Sequence, residues 1–278
     1  MRCLVTGHKG YIGSHLFARL RDLGHDVRGM DIKNEEEDIL CDLDLYEEFA
    51  PEYIFHLAAL PRVEYSVLNP VETFEVNALG TTKLLHFAKK IKAKRFIFSS
   101  SSIVYTAGEE GLSCPYAVHK LTSEMECALY SNIYNLDTVS LRYFNVYSED
   151  QPLDGPYSTI VAVWMDKLKN GENLVIEGGG EQRRDFVHVD DIISANIFAM
   201  NHDKPFDGLC VDVGTGKSHS INYIKDYIKR IYSNVDFISA AERKNDVKET
   251  LANTKDLQTI GWRSKINFDE GLKKCFGG

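Results

Sequence analysis

Several things are missing from this 278-residue chain, and each absence narrows what it can be. No run of about eighteen apolar residues occurs, so no membrane-spanning helix is expected. The opening "MRCLVTG" enters a strand pattern without the charged, apolar and small-residue regions of a secretory leader. There is no Cys-x-x-Cys pair, and the nine histidines show no paired spacing, so no metal site is expected. Six scattered cysteines (Cys3, Cys41, Cys114, Cys127, Cys210 and Cys275), several inside apolar runs, read as the structural thiols of a reduced, cytoplasmic protein. Basic residues are in deficit. Lys and Arg number 32 against 41 Asp and Glu, and the net charge of −9 argues against a nucleic-acid partner. An anionic ligand would therefore need a local cluster of Arg or Lys.

What is present is an alternation of short β-branched or aromatic runs with longer helical patterns. "RCLVTG", "HDVRGMD", "YIFHLAA", "KRFIFSS" and "DTVSLRYFNVY" read as strands. Between them "GSHLFARLRDLG", "PVETFEVNALGTTKLLHFAKKIKA" and "YAVHKLTSEMECALYSNIYN" have apolar residues at helical spacing. This order predicts an α/β fold with a doubly wound parallel sheet of Rossmann type over residues 1–150. After the Pro/Gly connection "QPLDGPYS" a smaller C-terminal α/β domain for substrate binding is expected over 151–278, with segments around 185–215 packing back on the first.

The first strand-to-helix turn, "VTGHKGYIGSHL", places Gly7, Gly10 and Gly13 at G-x-x-G-x-x-G spacing. Glycines there permit a tight turn, close approach of backbone to a pyrophosphate and close packing of helix on strand. Asp31 closes the second strand, about twenty residues on, where a carboxylate can hold a ribose 2′-hydroxyl. A 2′-phosphate would meet that carboxylate at close range, so NAD is favoured over NADP, although Arg28 and Lys33 are nearby. By itself such a glycine pattern often marks only a turn.

"RFIF" runs into the serines 99–102, which bring hydroxyls to the carboxyl end of a buried strand, where parallel sheets bind ligands. Further on, Tyr116 and Lys120 stand at i and i+4 and share one helix face. An ammonium near the phenol, and near an oxidised nicotinamide, lowers a pKa that starts near ~10. A Tyr so placed can take a proton from an alcohol while hydride leaves the same carbon. Tyr-x-x-x-Lys alone is common on amphipathic helices. With the glycine turn, Asp31 and the serine-ended strand in this order, it points to redox chemistry at a carbinol.

The motifs "TGHKGYIGSHL", "HLAA", "VNALGT", "FIFSSSSIVY", "YAVHK", "RYFNVY", "RRDFVHVDD" and "RKNDV" together resemble the extended short-chain dehydrogenase/reductases that act on nucleotide sugars, over nearly the whole length. The resemblance implies Ser101 as the catalytic hydroxyl, Tyr116 as the base and Lys120 as its partner and a ribose contact. It implies NAD contacts from Gly7, Gly10, Tyr11, Ile12, Gly13, Asp31, Asp42, Leu43, Leu57, Ala58, Ala59, Asn77, Ser99 and Tyr143, besides Tyr116 and Lys120. Tyr143 could equally fill core. For the substrate it implies Ser101, Tyr116, Asn145, Arg184 and Arg243, the two arginines on a nucleotide diphosphate. Asn145 could instead cap a turn, and Arg183 reads as a surface ion pair. Family dehydratases carry Asp-Glu directly after the catalytic hydroxyl, and decarboxylases a Glu at the second place. Here Ser102 and Ile103 stand there, which points to 4-epimerisation of a UDP-sugar, with a reductase or a non-catalytic NAD-bound sensor as alternatives. Thr106 and Ser148 depart from the glycines usual after "VY". Apolar faces on the helices at 71–91 and 117–133 predict a homodimer through a four-helix bundle.

Overall fold

Strand and helix alternate through the first 143 residues of the computed structural model, which describes residues 1–33, 37–40, 43–107, 114–153, 158–242 and 247–277. β1 (Arg2–Thr6), α1 (Tyr11–Asp22), β2 (Asp26–Met30) and β3 (Tyr53–His56) are followed by α2 (Val63–Leu68), α3 (Pro70–Phe74) and α4 (Gly80–Lys90). β4 (Arg95–Ser101), α5 (Pro115–Tyr134) and β5 (Thr138–Tyr143) complete this part. The chain continues through β6 (Asn145–Tyr147), α6 (Ile160–Lys169), β7 (Leu174–Glu177), β8 (Arg183–Arg184), β9 (Phe186–His188), α7 (Val189–Asn201) and β10 (Leu209–Val213). β11 (His219–Ser220), α8 (Ile221–Ile231), β12 (Phe237–Ala240), α9 (Lys255–Ile260) and α10 (Phe268–Phe276) follow. The chain forms two units, Met1–Tyr143 with Ile193–Val211, and Phe144–Ile192 with Asp212–Gly278.

The first unit holds a six-stranded sheet in the order β2-β1-β3-β4-β5-β10, parallel from β2 to β5. The chain starts at an inner strand, runs outward to β2 and then reverses to β3, the doubly wound pattern expected of the sequence. Its inner strands are apolar without alternation because both faces are covered: Leu4, Val5, Ile54, Phe55, Phe96, Ile97 and Phe98 are all fully buried. The reversal at β1 and β3 leaves a crevice at their carboxyl ends, the place where such sheets bind ligands. Arg95, buried at the start of β4, ties the returning segment down. Its Nε donates to Asp137 and its Nη atoms to the carbonyls of Ala199, His202 and Lys204.

Two expected elements are broken, each for a visible reason. The helical pattern at 70–93 divides into α3 and α4 around a π-helical turn, Glu75–Leu79. The carbonyl of Asn77 inside that turn receives the hydroxyls of Thr81 (2.7 Å) and Ser123 (2.8 Å), which compete with regular helical bonding. "DTVSLRYFNVY" divides at Phe144, whose N–H turns to the carbonyl of Val213 (3.2 Å), and β6 then pairs with β9.

In the second unit the ladders are short pairs, β8 with β11, β7 with β12 and β6 with β9. They pack on an aromatic core where Phe186 and Phe268 stack at 4.7 Å, beside Tyr147 and the buried Ile221, Ile224 and Ile228 of α8. The fully buried carboxylate of Asp185 joins separate segments. It accepts the N–H and hydroxyl of Thr215 (2.9 and 2.6 Å), the N–H of Gly216 (2.9 Å) and the N–H of Ala252 (3.2 Å).

The tightest backbone approach in the first unit is at α1, where a Cβ on Gly13 would lie 2.0 Å from the carbonyl oxygen of Gly7. Gly13→Ala is expected to cost about 3 kcal/mol of stability in urea unfolding. An unchanged midpoint would contradict this packing.

Candidate active site

The turn between β1 and α1 forms a cradle that only small residues fit. Gly7 takes a positive φ of 72°, and its N–H donates to the carbonyl of Met30 at 2.7 Å. A Cβ there would lie 2.7 Å from the amide nitrogen of Ala58 and 2.9 Å from the carbonyl carbon of Leu57. Gly10 is the N-cap of α1 and supplies no side-chain cap, so Tyr11, Ile12 and Gly13 present a helix start suited to an anion. Leu57, Ala58 and Ala59 follow β3 directly. Asp31, mostly buried, accepts the N–H of Lys9 (2.8 Å) and that of Lys33 (3.2 Å), tying this turn to the end of β2. A dinucleotide fits this cradle: side chains are excluded where a pyrophosphate would lie, and a carboxylate closes the neighbouring strand. Leu43 buries its side chain in the core with Ile39 and Tyr46. Asp42 lies outside the described residues.

The serines at the end of β4 diverge as strand alternation requires. The Oγ of Ser99 bonds the hydroxyl of Tyr143 (2.9 Å), and that of Ser100 donates to Glu124 (2.5 Å). Ser101, the last residue of the strand, accepts the N–H of Ile103 at 3.3 Å. Tyr116 and Lys120 lie one turn apart at the start of α5, both buried, with the ammonium 6.0 Å from the phenol ring centroid. Nζ of Lys120 donates to the carbonyl of Ser99 at 2.8 Å and sits 4.6 Å from the centre of the Phe98 ring. Burial lowers the pKa of this amine to about 8, against the opposing pull of Glu124. Glu124 is itself held by Nε and Nη2 of Arg142 at 2.8 and 2.6 Å. The Tyr143 hydroxyl also meets Asn196 (2.7 Å), and burial pushes its pKa up to about 12, so it braces the strand end.

A directional chain of hydrogen bonds runs behind this site. The N–H of Ala58 donates to Thr6 Oγ1 (3.2 Å), which lies 2.8 Å from Nδ1 of His56. Nε2 of His56 lies 2.9 Å from Thr81 Oγ1, whose proton goes to the carbonyl of Asn77. Because Thr81 spends its proton there, Nε2 of His56 donates to it, and in the neutral ring Nδ1 accepts the Thr6 hydroxyl. Full burial, helped by the charge of Lys120, lowers the His56 pKa to about 3. Asn77 completes the chain: its amide accepts the N–H of Leu60 (2.7 Å) and donates to the carbonyl of Leu60 (2.9 Å).

In the second unit, Asn145 Nδ2 donates to Thr250 Oγ1 (3.1 Å), and Nη1 of Arg184 donates to the carbonyls of Arg183 (2.8 Å) and Val247. Next to that strand lies a cavity of about 230 Å³ lined by Gly178, Glu181, Gln182, Glu242, Val247 and Lys248. Arg243 lies outside the described residues. Thr106 and Ser148 bond locally, to the carbonyl of Ile103 (2.7 Å) and to Asp150 (2.6 Å).

Residues 3–214 match the family model of the NAD dependent epimerase/dehydratase family. The chain is 30% identical to the UDP-glucose 4-epimerase of Mycolicibacterium smegmatis, over 99% of this chain and 97% of that protein. Among solved structures it resembles the UDP-glucose 4-epimerase of Thermotoga maritima with UDP-glucose (31% identity, TM-score 0.89, 100% of this chain and 97% of that one). It also resembles the UDP-N-acetylglucosamine 4-epimerase of Methanobrevibacter ruminantium in complex with UDP-N-acetylmuramic acid (32% identity, TM-score 0.88, 99% and 96%). The fold and site define an NAD-binding α/β enzyme. The chain belongs to the NAD dependent epimerase/dehydratase family, and NAD is its cofactor.

Sequence reasoning did not assign His56, Thr6, Thr81, Ser66, Asn196 or the Glu124–Arg142 pair. His56 sits inside an apolar strand, where a lone histidine reads as core. Its folded pKa of about 3 lies below the 6.5 of an exposed ring, so on acidification the unfolded chain takes up the proton first. Stability should therefore fall as pH drops from 6.5 towards 3. His56→Leu is expected to lose roughly 2 kcal/mol at neutral pH and to show a shallower acid decline in thermal melts. Parallel pH curves for the two proteins would contradict a neutral, buried ring.

Proposed function

We propose that this enzyme interconverts nucleotide sugars that are epimers at C4, with a UDP-sugar as substrate. The observation that carries the reading is the buried Tyr116–Lys120 pair beside a strand end whose next residues bring no acid. Ser102 follows Ser101, and Ile103 packs its apolar side chain against the cluster of Cys114, Tyr116 and Ala117. Elimination of water needs a further proton donor and acceptor, and neither a hydroxymethyl nor a butyl side chain provides a carboxyl group. Oxidation and reduction at one carbon need only one base and one orienting hydroxyl.

In this reading Tyr116 removes the proton from the C4 hydroxyl and later returns it to the same oxygen. Lys120, fixed by the Ser99 carbonyl, supplies the positive charge that favours the phenolate. Ser101 Oγ holds the reacting oxygen in line. Bound NAD would supply the hydride acceptor for C4 and the donor that returns hydride to the opposite face once the 4-keto sugar has turned over in the site. Gly7, Gly10, Tyr11, Ile12, Gly13, Leu57, Ala58 and Ala59 would hold the dinucleotide, with Asp31 on its ribose. Arg184, steadied by the Val247 carbonyl, suits a diphosphate oxygen, and the cavity beside it suits the nucleoside. Arg243 and Asn145 complete the substrate set by family resemblance.

The expected result with a panel of UDP-, dTDP-, GDP- and CDP-sugars is interconversion of C4 epimers without added cofactor, read by chromatography. Tyr116→Phe should retain NAD and lose at least ~100-fold in turnover. Wild-type turnover in that variant would remove Tyr116 from the mechanism, and net consumption of NADH would replace epimerisation by reduction.

We also propose a homodimer. Val67, Leu68, Val71 and Phe74 are exposed along α2 and α3, and Met125, Leu129 and Ile133 form an exposed stripe at four-residue spacing on α5. Two such faces can close a helical bundle. Sedimentation should give a dimer at micromolar concentration and a monomer for Ile133→Glu. A monomeric wild type would overturn this assembly.

A further inference from the structure

The helix that carries Tyr116 and Lys120 has no cap of its own. Cys114 occupies the N-cap position of α5 without a side-chain cap bond, and Pro115 at the first helical position has no N–H. The first N–H that α5 offers is therefore that of Tyr116. It donates to Ser66 Oγ at 3.2 Å. Ser66 lies on α2, fifty positions earlier in the chain, and is fully buried. Its own hydroxyl proton goes to the carbonyl of Val63 at 2.7 Å, which leaves an oxygen lone pair for Tyr116.

We infer that Ser66 is a positioning residue for the reaction: it caps the catalytic helix from a neighbouring helix and fixes the backbone of Tyr116. The inference rests on the reading of Tyr116 as the proton carrier. Tyr116 stands in the first turn, where an uncapped helix frays, whereas Lys120 is anchored independently by the Ser99 carbonyl. Loss of the cap would thus change the separation of phenol and ammonium without moving the ammonium. The phenol would then hold its proton more tightly.

The test is steady-state kinetics of the NAD-loaded Ser66→Ala enzyme across pH. The expected result is a fall in kcat of about tenfold, with substrate KM and bound NAD unchanged, and an acid limb of the kcat profile moved to higher pH. Adding Cys114→Ser supplies a local N-cap hydroxyl for the same N–H and should restore both kcat and the acid limb. A loss caused merely by disturbed packing around α2 would not be rescued in this way. Wild-type kcat and pH profile in Ser66→Ala, or a loss untouched by Cys114→Ser, would overturn the inference. Hydrogen exchange at the Tyr116 amide in the unaltered holoenzyme gives a measure independent of any variant. Protection is expected there, and exchange at the rate of an unstructured chain would overturn the cap. An active Tyr116→Phe enzyme would sink the catalytic reading itself; an inactive one beside an unaffected Ser66→Ala would sink the cap alone.

Discussion

A single buried ammonium sets the terms for this molecule. Lys120 is removed from water, and its hydrogen bond to the carbonyl of Ser99 fixes where its charge lies. Burying a cation is costly unless partners compensate it. The compensation is spread over several elements: the carbonyl at the end of β4, the face of Phe98, and the carboxylate of Glu124 one turn further along α5. Glu124 is itself neutralised by Arg142 from β5 and by the Ser100 hydroxyl. The strand end, α5 and the adjacent strand are therefore held in one electrostatic arrangement, and a fault in any member reaches the amine.

The same economy governs polar groups behind the site. Thr6, His56, Thr81 and Asn77 each use both donor and acceptor capacity, so the chain of bonds has one direction and one histidine tautomer. Buried networks satisfied at every member rigidify what they join. Here they join the residues at the glycine cradle to α4, the helix preceding α5. In the second unit Asp185 has a corresponding part, because all four of its contacts demand an acceptor and only a carboxylate offers that many.

Much of this was legible in the residues. The parallel sheet followed from apolar runs of strand length alternating with helical patterns, and the tight turn into α1 from three glycines between strand and helix. Family membership and NAD followed from motifs in a fixed order. What was not legible depended on partners far apart in sequence. Ser66 reads only as the last residue of "RVEYS", a segment expected to border the pocket, until α5 is seen to begin without a cap. Tyr143 reads as a pocket residue or as core, and nothing local announces that its hydroxyl meets Ser99 and Asn196. The break at Phe144 depends on a carbonyl at Val213, which no local pattern announces.

The wide turn at Glu75–Leu79 has a geometric consequence for everything after it. A helix advances by about 100° per residue, so one residue more or fewer rotates all later positions by that angle. Leu84, Leu85, Phe87 and Ala88 point into the core only because the bulge absorbs an extra residue before them. Deleting one residue from this segment would restore ordinary winding and keep those side chains on the core, whereas a second deletion would swing Lys83, Lys89 and Lys90 towards the space they fill. Phase thus permits the loss of one residue here and forbids the loss of two, even though the lesion would sit outside the chemistry.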